Sequence, residues 1–362
     1  MSSQSTIDLS NLETYLKQTI GIVGPLSAEK FSHGQSNPTF LIIDLGSKDA
    51  DSPYPDPFPN KLKKRYVVRK KPSGALISKT AHAVEREYRV LKALGDNIKE
   101  LQIPVPKVYC LCEDDSVLGT PFYVMEYIHG RIFKDPALSE LPPQEQTPEI
   151  KALYYNEMVR VLSRLHSVDY RSIGLSGFGK HGGYYNRQLA ALSKVHDLQA
   201  ATIKKSSENS NTPDHLSLAY TDGHDNGALP QFYILVNILK KSYCPDHISI
   251  AHGDYKLDNV IFHPTKPIIL GILDWELSTI GNPLSDLANM IQYMTVDIPS
   301  EDSLVRLYCS LSNLEYPLQG WTYAKAFALL RNAVISHGIR ARLSIGQASS
   351  SIAAFAATTG PK

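Results

Sequence analysis

The sequence has little cysteine, little net charge and no long apolar run, and each scarcity excludes a class of protein. Its 362 residues include 4 cysteines, too few and too scattered for a disulfide framework. Because 37 Lys and Arg residues balance 36 Asp and Glu residues, we expect no nucleic-acid or membrane partner held by bulk charge. No apolar run is long enough to span a bilayer, and the first residues carry no hydrophobic signal segment. The expected location is the reducing cytoplasm.

The remaining composition is typical of a soluble globular protein, with 43% hydrophobic and 20% charged residues. At this length a single hydrophobic core is unusual, so two packed units are expected. Residues 1–128 show several strand patterns and one helix pattern, whereas residues 129–362 are mainly helical in pattern. The sequence therefore predicts an N-terminal lobe over 1–128 and a C-terminal lobe over 129–362.

Strand patterns dominate the first of these lobes. Residues 31–45 are predicted as strand, turn and strand, and RYVVRKK at 65–71 alternates as a strand does. PVPKVYCLC and PFYVMEYI are two more predicted strands. Apolar residues at helical spacing predict one amphipathic helix over 79–94. A small sheet with one main helix follows from these patterns.

Helix patterns in the second lobe cover residues 148–168, 228–242 and 320–343. Two short apolar strands, NVIF and IILGILD, are predicted between them. The polar segment 204–229 is expected to be a surface insertion.

The strongest chemical signal is HGDYKLDN at 252–259, followed by ILDWE at 272–276. Three polar side chains stand out in it: Asp254, Asn259 and Asp274. In the protein-kinase catalytic set, an Asp in a His-x-Asp-x4-Asn loop accepts the proton of the substrate hydroxyl. The Asn of that loop and a later Asp at a strand end hold magnesium.

The spacing of these three residues has a physical reason. Asn259 opens a strand that returns antiparallel through IILGILD, so a short hairpin is predicted to bring Asn259 beside Asp274. Two oxygen ligands together with phosphate oxygens suit magnesium, and Asp254 on the preceding loop suits proton abstraction. The alternative is that these residues only stabilise turns. The complete string with its second acid favours the catalytic interpretation.

A basic residue and a carboxylate in the first lobe form the second signal. Val67, Arg69 and Lys71 share one face of a predicted strand, and Glu87 lies on the apolar face of the predicted helix. A buried carboxylate needs a partner, because a bare buried charge is costly. We predict that Arg69 pairs with Glu87 and contacts nucleotide phosphates. Lys71 stays open as the phosphate contact, Glu85 as the carboxylate, and a surface ion pair as the alternative.

The turn SHGQSNPTF, which precedes that strand, is the third signal. Gly34 permits a close backbone approach, and Ser36 and Asn37 can donate hydrogen bonds to phosphate oxygens. An ordinary hairpin turn is the alternative interpretation.

The segment FYVMEYIHG is the fourth signal, because a strand that ends in glycine is typical of a hinge between lobes. Backbone groups near Glu126 and Ile128 are predicted to contact an adenine base, with Met125 behind it. The alternative is that Met125 belongs to the hydrophobic core.

Together these motifs resemble the aminoglycoside phosphotransferase and choline-kinase group of small-molecule kinases, which have a protein-kinase-like fold. The likeness rests on HGDYKLDN and LDWELSTIGNPLSDLA. More narrowly, VVRKKPSG, HAVEREYRVLKAL, PFYVMEYIHGRIF and SHGIRARLSIGQASS are similar to the phosphotransferase domain that precedes an acyl-CoA dehydrogenase in some proteins. The likeness spans roughly residues 31–352.

The resemblance implies an α+β, two-lobe architecture with a five-stranded antiparallel sheet in the N-lobe and a mainly helical C-lobe that carries the catalytic hairpin. It implies ATP- and Mg²⁺-dependent phosphorylation of a hydroxyl group on a small molecule. By motif position Asp254 would be the base, Asn259 and Asp274 the magnesium ligands, and Arg69 the phosphate contact with Glu87 behind it. An Arg in place of the usual Lys is a departure from the family.

The acceptor is the part that the sequence determines least. For the closer relatives, hydroxylated acyl compounds such as 4-hydroxyacyl-CoA are one acceptor that the resemblance implies. Arg187 and Arg340, with His337, are candidates to face an anionic acceptor. The competing function is a catalytically weak or inactive nucleotide-binding pseudokinase module, because the turn has the single glycine Gly34 and Arg69 replaces a lysine. The choice between ATP and GTP and the oligomeric state stay open.

Overall fold

The computed structural model describes residues 7–31, 37–47, 63–72, 83–209, 227–294 and 299–345. The chain divides into two compact units. The first comprises Met1–Gly179, Ser249–Thr279 and Met294–Leu314, and the second comprises Lys180–Ile248, Ile280–Tyr293 and Glu315–Lys362. The predicted lobe boundary after residue 128 stays a prediction; residues on both sides of it belong to the first unit.

The first unit contains a five-stranded antiparallel sheet, as predicted, with the order β1-β2-β3-β5-β4. Its strands are β1 (Leu26–Lys30), β2 (Thr39–Asp44), β3 (Lys64–Lys70), β4 (Val108–Cys112) and β5 (Phe122–Glu126). The register between β3 and β5 sets Val67 opposite Met125 and Arg69 opposite Tyr123. Side chains alternate between the two faces of each strand, so Val67 and Arg69 share one face.

The remaining strands are short. They are β6 (Ser249–Ala251), β7 (Val260–Phe262), β8 (Ile269–Ile272) and β9 (Thr279–Gly281). β7 and β8 form an antiparallel hairpin in which Val260 pairs with Ile272. This hairpin is the one that the sequence predicts after HGDYKLDN.

The α-helices of the described residues follow in chain order. They are α1 (Leu9–Ile20), α2 (Val84–Asp96), α3 (Ile98–Leu101), α4 (Asp115–Leu118), α5 (Pro148–Ser167), α6 (Tyr184–Asn209), α7 (Phe232–Lys241), α8 (Leu284–Ile291), α9 (Glu301–Leu311) and α10 (Trp321–Ser344). None of them is both long and apolar enough to cross a membrane.

Two helices cover the sheet of the first unit. α1 begins at Asp8, whose carboxylate accepts the N–H groups of Ser10 and Asn11, and it buries Leu12 and Leu16. α2 buries an apolar stripe that carries one carboxylate, with the members Val84, Glu87, Val90, Leu91 and Leu94. The burial of that carboxylate is the feature that positions the candidate site.

The second unit is helical. α10 packs against α6 and α8, and α7 packs against α6 and α10. The ring of Tyr185 on α6 contacts the rings of Tyr323 and Phe327 on α10, each with centroids 4.9 Å apart. These aromatic contacts make α6 and α10 one hydrophobic layer.

Several element predictions are confirmed and others are wrong. The predicted helices at 148–168, 228–242 and 320–343 correspond to α5, α7 and α10. The predicted strand at Phe31 is wrong, because β1 ends one residue earlier. α6 continues into the polar segment 204–229, whose residues 210–226 lie outside the described part. The sequence interpretation did not include α1, α3, α4, α6 or α9.

Candidate active site

The hairpin of β7 and β8 places Asn259 and Asp274 at neighbouring positions. The amide of Leu273, the residue before Asp274, donates to the backbone oxygen of Asn259 at 2.8 Å. Asn259 ends a short 3-10 helix before β7, and Asp274 lies two residues after the end of β8. The backbone therefore brings both residues to the same end of the hairpin, as the spacing predicts.

Asp254 lies against the side chain of Asn259. The Nδ2 group of Asn259 donates to the backbone oxygen of Asp254 at 2.8 Å and to its carboxylate Oδ2 at 3.0 Å. An amide that donates through Nδ2 directs its Oδ1, the atom able to ligate a cation, to its opposite side. The three polar residues of the motif thus form a connected group.

His252 and Gly253 fix the loop that carries Asp254. The fully buried His252 donates through Nε2 to the oxygen of Leu273 at 2.8 Å, and its Nδ1 accepts the Asp254 amide at 3.2 Å. Gly253 has φ +87°, and an added Cβ would approach the Leu277 oxygen to 2.5 Å. A glycine is therefore required at the middle position of the His-Gly-Asp string, because a side chain there would collide with the backbone of Leu277.

Arg69 is the centre of a buried ion cluster. Its Nε lies 2.9 Å from Glu87 Oε2, and its Nη2 lies 2.6 Å from Asp274 Oδ1 and 3.3 Å from Glu276 Oε2. We call these four residues the Arg69 cluster. The predicted pair of Arg69 and Glu87 is confirmed as a contact, and Glu85 is not the carboxylate of this pair. The planar guanidinium allows one side chain to contact three carboxylates.

Glu87 is held by two neutral side chains in addition to Arg69. Asn37 Nδ2 donates to its Oε1 at 2.7 Å, and the Tyr123 hydroxyl donates to its Oε2 at 3.0 Å. Burial raises the pKa of Glu87 to about 7, against the lowering effect of Arg69. Glu87 is therefore close to the balance between its protonated and ionised forms at neutral pH.

Asn37 supplies one of the donors that the buried carboxylate of Glu87 requires. Its side chain is fully buried, and its Nδ2 group donates to Glu87 Oε1. Its contact with a nucleotide phosphate stays a prediction. Gly34 and Ser36, the other residues of that turn, lie outside the described residues.

The charges of the site suit a divalent cation. Within the Arg69 cluster one positive charge faces three carboxylates, which leaves a surplus of negative charge when all are ionised. Asp274 is about one-third exposed at its side chain, and carboxylate and amide oxygens are the ligands that Mg²⁺ prefers. Asn259 and Asp274 therefore fit Mg²⁺ in both charge and donor type.

The backbone of Asp274 adds a further indication of function. Its φ of 62° and ψ of 60° are left-handed, a conformation that a side chain makes costly. Such conformations persist where the surrounding structure imposes them and are frequent at active sites. Here the conformation lets the chain turn from β8 into the next 3-10 helix, Trp275–Leu277.

The predicted hinge residues follow β5. The amide of Glu126 donates to the oxygen of Lys107 at 2.8 Å, and the carboxylate of Glu126 accepts the Lys107 amide at 3.1 Å. The predicted adenine contact of Glu126 is therefore restricted to its backbone oxygen. Arg131 then pairs with Phe262 of β7 through two backbone hydrogen bonds of 2.8 Å, which ties the segment after Ile128 to the catalytic hairpin.

The two arginines predicted for the acceptor lie in the second unit. Arg187 donates to the backbone oxygens of Gly182 and Lys180, so it stabilises the turn before α6. Arg340 on α10 is 9% exposed, and within the described residues neither its Nε nor its Nη2 has a hydrogen-bond partner. The acceptor role of both residues stays a prediction.

His337, which lies near Arg340 along α10, stacks on His196 of α6. His337 donates through Nε2 to the Gly227 oxygen at 2.7 Å, and burial lowers its pKa to about 4. Its ring stacks on His196 with centroids 5.4 Å apart, and the Nε2 of His196 accepts the Leu229 amide at 3.1 Å. We call His196, His337 and Arg340 the histidine cluster.

Sequence reasoning identified neither Tyr123 as a partner of Glu87 nor Glu276 as a contact of Arg69. The sequence offers no signal for the Arg69–Glu276 contact, since the two residues are 207 positions apart.

The described geometry is that of a protein-kinase-like phosphotransferase fold. A sheet arginine pairs with a helix glutamate, and a loop Asp lies beside an Asn and near a strand-end Asp. The comparison with family models agrees: the model of the phosphotransferase enzyme family matches residues 27–326. The chain belongs to this phosphotransferase family.

Curated relatives are similar over most of the chain. Acyl-CoA dehydrogenase family member 10 of Mus musculus is 36% identical over 94% of this chain, which corresponds to 29% of that protein. Acyl-CoA dehydrogenase family member 11 of Homo sapiens is 33% identical over 96% of this chain and 41% of that protein. The chain thus spans less than half the length of these relatives.

A solved structure agrees with the fold. A crystal structure from Ralstonia eutropha, provisionally assigned as an aminoglycoside phosphotransferase, has a TM-score of 0.72 and 33% identity, over 98% of this chain and 95% of that chain. An aminoglycoside phosphotransferase with ADP bound is more distant, with a TM-score of 0.52 and 18% identity over 98% of this chain and 96% of that one. The second likeness supports the fold alone.

Proposed function

We propose that the chain is an ATP- and Mg²⁺-dependent kinase that phosphorylates a hydroxyl group of a small molecule. The observation that carries the proposal is the connected group at the hairpin end: Asn259 bonds to Asp254 through its side chain and to the residue before Asp274 through its backbone. A proton acceptor and two oxygen ligands in one group are what in-line phosphoryl transfer requires.

In this proposal Asp254 acts on the acceptor. Its carboxylate accepts the proton of the hydroxyl group as the hydroxyl oxygen attacks the γ-phosphorus of ATP, and the bond from that phosphorus to the β–γ bridging oxygen breaks. The hydrogen bond from Asn259 fixes the orientation of this carboxylate. This orientation matters because a base that is already held next to the hydroxyl group does not have to reach it by diffusion.

Asn259 and Asp274 would hold the magnesium ion. When bound, Mg²⁺ neutralises charge on the β- and γ-phosphate oxygens. Arg69 contacts Asp274 and is oriented by Glu87, so it can position phosphate oxygens beside the ion. This contact with Glu87 supports Arg69 over Lys71 as the phosphate residue.

The nucleotide base would lie against the sheet. Val67 and its strand partner Met125 are both nearly buried, which provides an apolar surface near Arg69. We infer that the backbone oxygen of Glu126 and the backbone of Ile128 contact the adenine edge. Gly34 and Ser36 belong to the same proposal as the residues that approach the phosphates.

For the acceptor, we infer an anionic small molecule with a hydroxyl group. The support is Arg340, whose guanidinium is nearly buried and whose Nε and Nη2 find no hydrogen-bond partner in the part of the chain that the structure describes. A buried cation is stabilised by an anion. The names of the relatives, which are acyl-CoA dehydrogenase family members, favour a hydroxylated acyl compound. Replacing Arg340 by Met should raise the KM for the acceptor, whereas Arg342→Met, an exposed change on the same helix, should not.

The test of the function is an untargeted transfer assay. Wild-type protein is incubated with Mg²⁺, labelled ATP and a metabolite extract, and labelled products are identified by mass spectrometry. Asp254→Ala is the matched control, because it removes the base and leaves the fold. A product labelled by the wild type and not by the variant supports the proposal.

The opposite result, in which the wild type labels no product, supports a pseudokinase module. The contact of Arg69 with Asp274 favours this second candidate, because an arginine that keeps hold of the metal ligand would reduce metal binding. Saturable binding of Mg·ATP without turnover over a broad acceptor panel would exclude the kinase.

A further inference from the structure

The carboxylate of Glu276 has no role in the function proposed above. Glu276 belongs to the 3-10 helix Trp275–Leu277, which begins directly after Asp274. Its Oε2 lies 3.3 Å from Nη2 of Arg69, and the same Nη2 group lies 2.6 Å from Asp274 Oδ1. One guanidinium nitrogen is therefore shared between a proposed metal ligand and a carboxylate outside the proposed pair of ligands.

Buried groups hold the chain around Glu276 in place. The fully buried indole of Trp275 donates through Nε1 to the backbone oxygen of Ile272 at 2.9 Å. The amide and the hydroxyl of Ser278, which is buried as well, both donate to the backbone oxygen of Trp275, at 3.0 and 2.6 Å. The Glu276 side chain is 19% exposed, and that of Asp274 is 32% exposed. Both carboxylates thus extend from a fixed backbone, and the one on Asp274 is more accessible to a ligand from solvent.

Asp274 cannot serve a metal ion and Arg69 equally well. A divalent ion and a guanidinium are both positive, so they repel each other when they share one carboxylate. Arg69 is nearly buried, and its charge needs a carboxylate beside it in every state of the site. Glu87 holds Nε at 2.9 Å, which leaves Nη2 in need of an acceptor once Asp274 binds the ion. Glu276 already lies beside this nitrogen.

We propose that Glu276 is a positioning residue that accepts the Nη2 group of Arg69 while Asp274 binds Mg²⁺. This role rests on the proposed function, because it requires Asp274 to be a metal ligand. No covalent bond changes and no proton moves, since one hydrogen bond of Arg69 passes from Asp274 to Glu276. The exchange frees Asp274 for the ion. It also keeps the guanidinium, still held by Glu87, beside the place proposed for the phosphates.

The experiment measures metal binding without turnover. Binding of Mn²⁺ in the presence of saturating ADP is followed by electron paramagnetic resonance, and the affinity for ADP alone is measured with EDTA present. A hydrogen bond to a charged group corresponds to about 10–100-fold in a binding constant, so Glu276→Gln should weaken Mn²⁺ binding by this factor. Its affinity for metal-free ADP should stay nearly unchanged. Asp258→Asn, which removes an exposed acid next to Asn259, is the control and should bind Mn²⁺ as the wild type does.

A double variant separates this role from direct binding of the ion by Glu276. Arg69→Met has no guanidinium to hold, so adding Glu276→Gln should not weaken Mn²⁺ binding further. Arg69→Gln, which removes the charge and keeps a donor for Glu87, serves where Arg69→Met does not fold. An unchanged Mn²⁺ affinity in Glu276→Gln would overturn the inference, as would an equal loss with and without Arg69. A wild type whose Mn²⁺ binding depends on Glu276 in this way, but which transfers no phosphate, would support the inference and contradict the proposed function.

Discussion

The two units bury ionisable side chains in opposite ways. In the Arg69 cluster of the first unit, one guanidinium contacts three carboxylates, and burial raises the pKa of Glu87 to about 7. In the histidine cluster of the second unit, burial lowers the pKa of His337 to about 4, and Nε and Nη2 of Arg340 have no hydrogen-bond partner among the described residues. The first arrangement has carboxylates in excess, and the second has a nearly buried guanidinium with two nitrogens left unbonded within the described part of the chain.

This difference shows what kind of ligand each place can accept. A surplus of carboxylates beside Asn259 suits a divalent cation, whereas a buried guanidinium suits an anion. Charges that neutralise each other fully would suggest a structural ion pair instead. The experiments below change one cluster at a time and compare the response of the other.

The largest expected effect concerns the base beside the Arg69 cluster. Asp254→Ala should lower phosphoryl transfer by about 10²–10⁴-fold, the usual contribution of a general base. The thermal midpoint should stay unchanged, because the carboxylate is not fully buried. Steady-state kinetics and a melting curve measure both quantities. Asp302→Asn, an exposed acid on α9, is the control, and equal losses in both variants would contradict the assignment.

Removing the centre of the Arg69 cluster should be the largest change in stability. Arg69→Met leaves Glu87, Asp274 and Glu276 without their cation, and breaking a buried ion pair costs about 3–5 kcal/mol. The free energy of unfolding in urea measures the loss. Lys71→Met is the matched control, because Lys71 directly follows β3 and is less buried than Arg69. A larger loss for Lys71→Met would favour Lys71 as the cation of the site.

The pH dependence of stability should differ in sign between the clusters. The pKa of Glu87 is raised from 4.5 to about 7, so folding favours its protonated form. Glu87 therefore adds about 3 kcal/mol to the free energy of unfolding below pH 4.5. This stabilisation is lost as the pH rises from 4.5 to 7. The difference in unfolding free energy between wild type and Glu87→Gln, followed against pH, isolates this contribution. A difference independent of pH would contradict the shift.

The pKa of His337 is lowered from 6.5 to about 4, so folding favours its neutral form. His337 therefore adds about 3 kcal/mol to the free energy of unfolding above pH 6.5. This stabilisation is lost as the pH falls from 6.5 to 4. Wild type and His337→Gln should therefore diverge in the opposite direction from the Glu87 pair. If the difference in unfolding free energy from the wild type changed with pH in the same direction for Glu87→Gln and His337→Gln, the comparison of the two clusters would be refuted.

The smallest expected effect belongs to Arg340. Replacing an unpartnered buried charge by an apolar side chain of similar length is often neutral or stabilising by about 1–4 kcal/mol. Arg340→Met should therefore unfold at the same or a higher urea concentration than the wild type. A large loss of stability would mean that the guanidinium has a counterion within the protein.

Sequence patterns were sufficient for the parts of the site that local rules determine. Glu87 lies on an apolar helix stripe, and that alone predicts a buried carboxylate in need of a cation. The distance from Asn259 to Asp274 along the chain fits one hairpin, so their proximity was predictable too. Both inferences depend on short-range geometry and on the cost of burying charge.

Other features depend on contacts between distant segments. Asn37 and Tyr123 reach Glu87 only because the sheet order sets β2, β3 and β5 side by side, and the sequence does not state that order. The last residues of α6 were assigned to the surface insertion 204–229, because that segment is polar. The pairing of Glu276 with Arg69 is likewise a tertiary contact.

The central claim is that Asn259 and Asp274 share one divalent cation beside Asp254. A crystal structure of the wild-type protein with Mg²⁺ and a non-hydrolysable ATP analogue tests it most directly. The account predicts one ion bound by Asn259 Oδ1 and the Asp274 carboxylate, with the γ-phosphoryl group beside Arg69. An ion held by other residues, or a nucleotide bound with Arg69 still closing off Asp274, would contradict it.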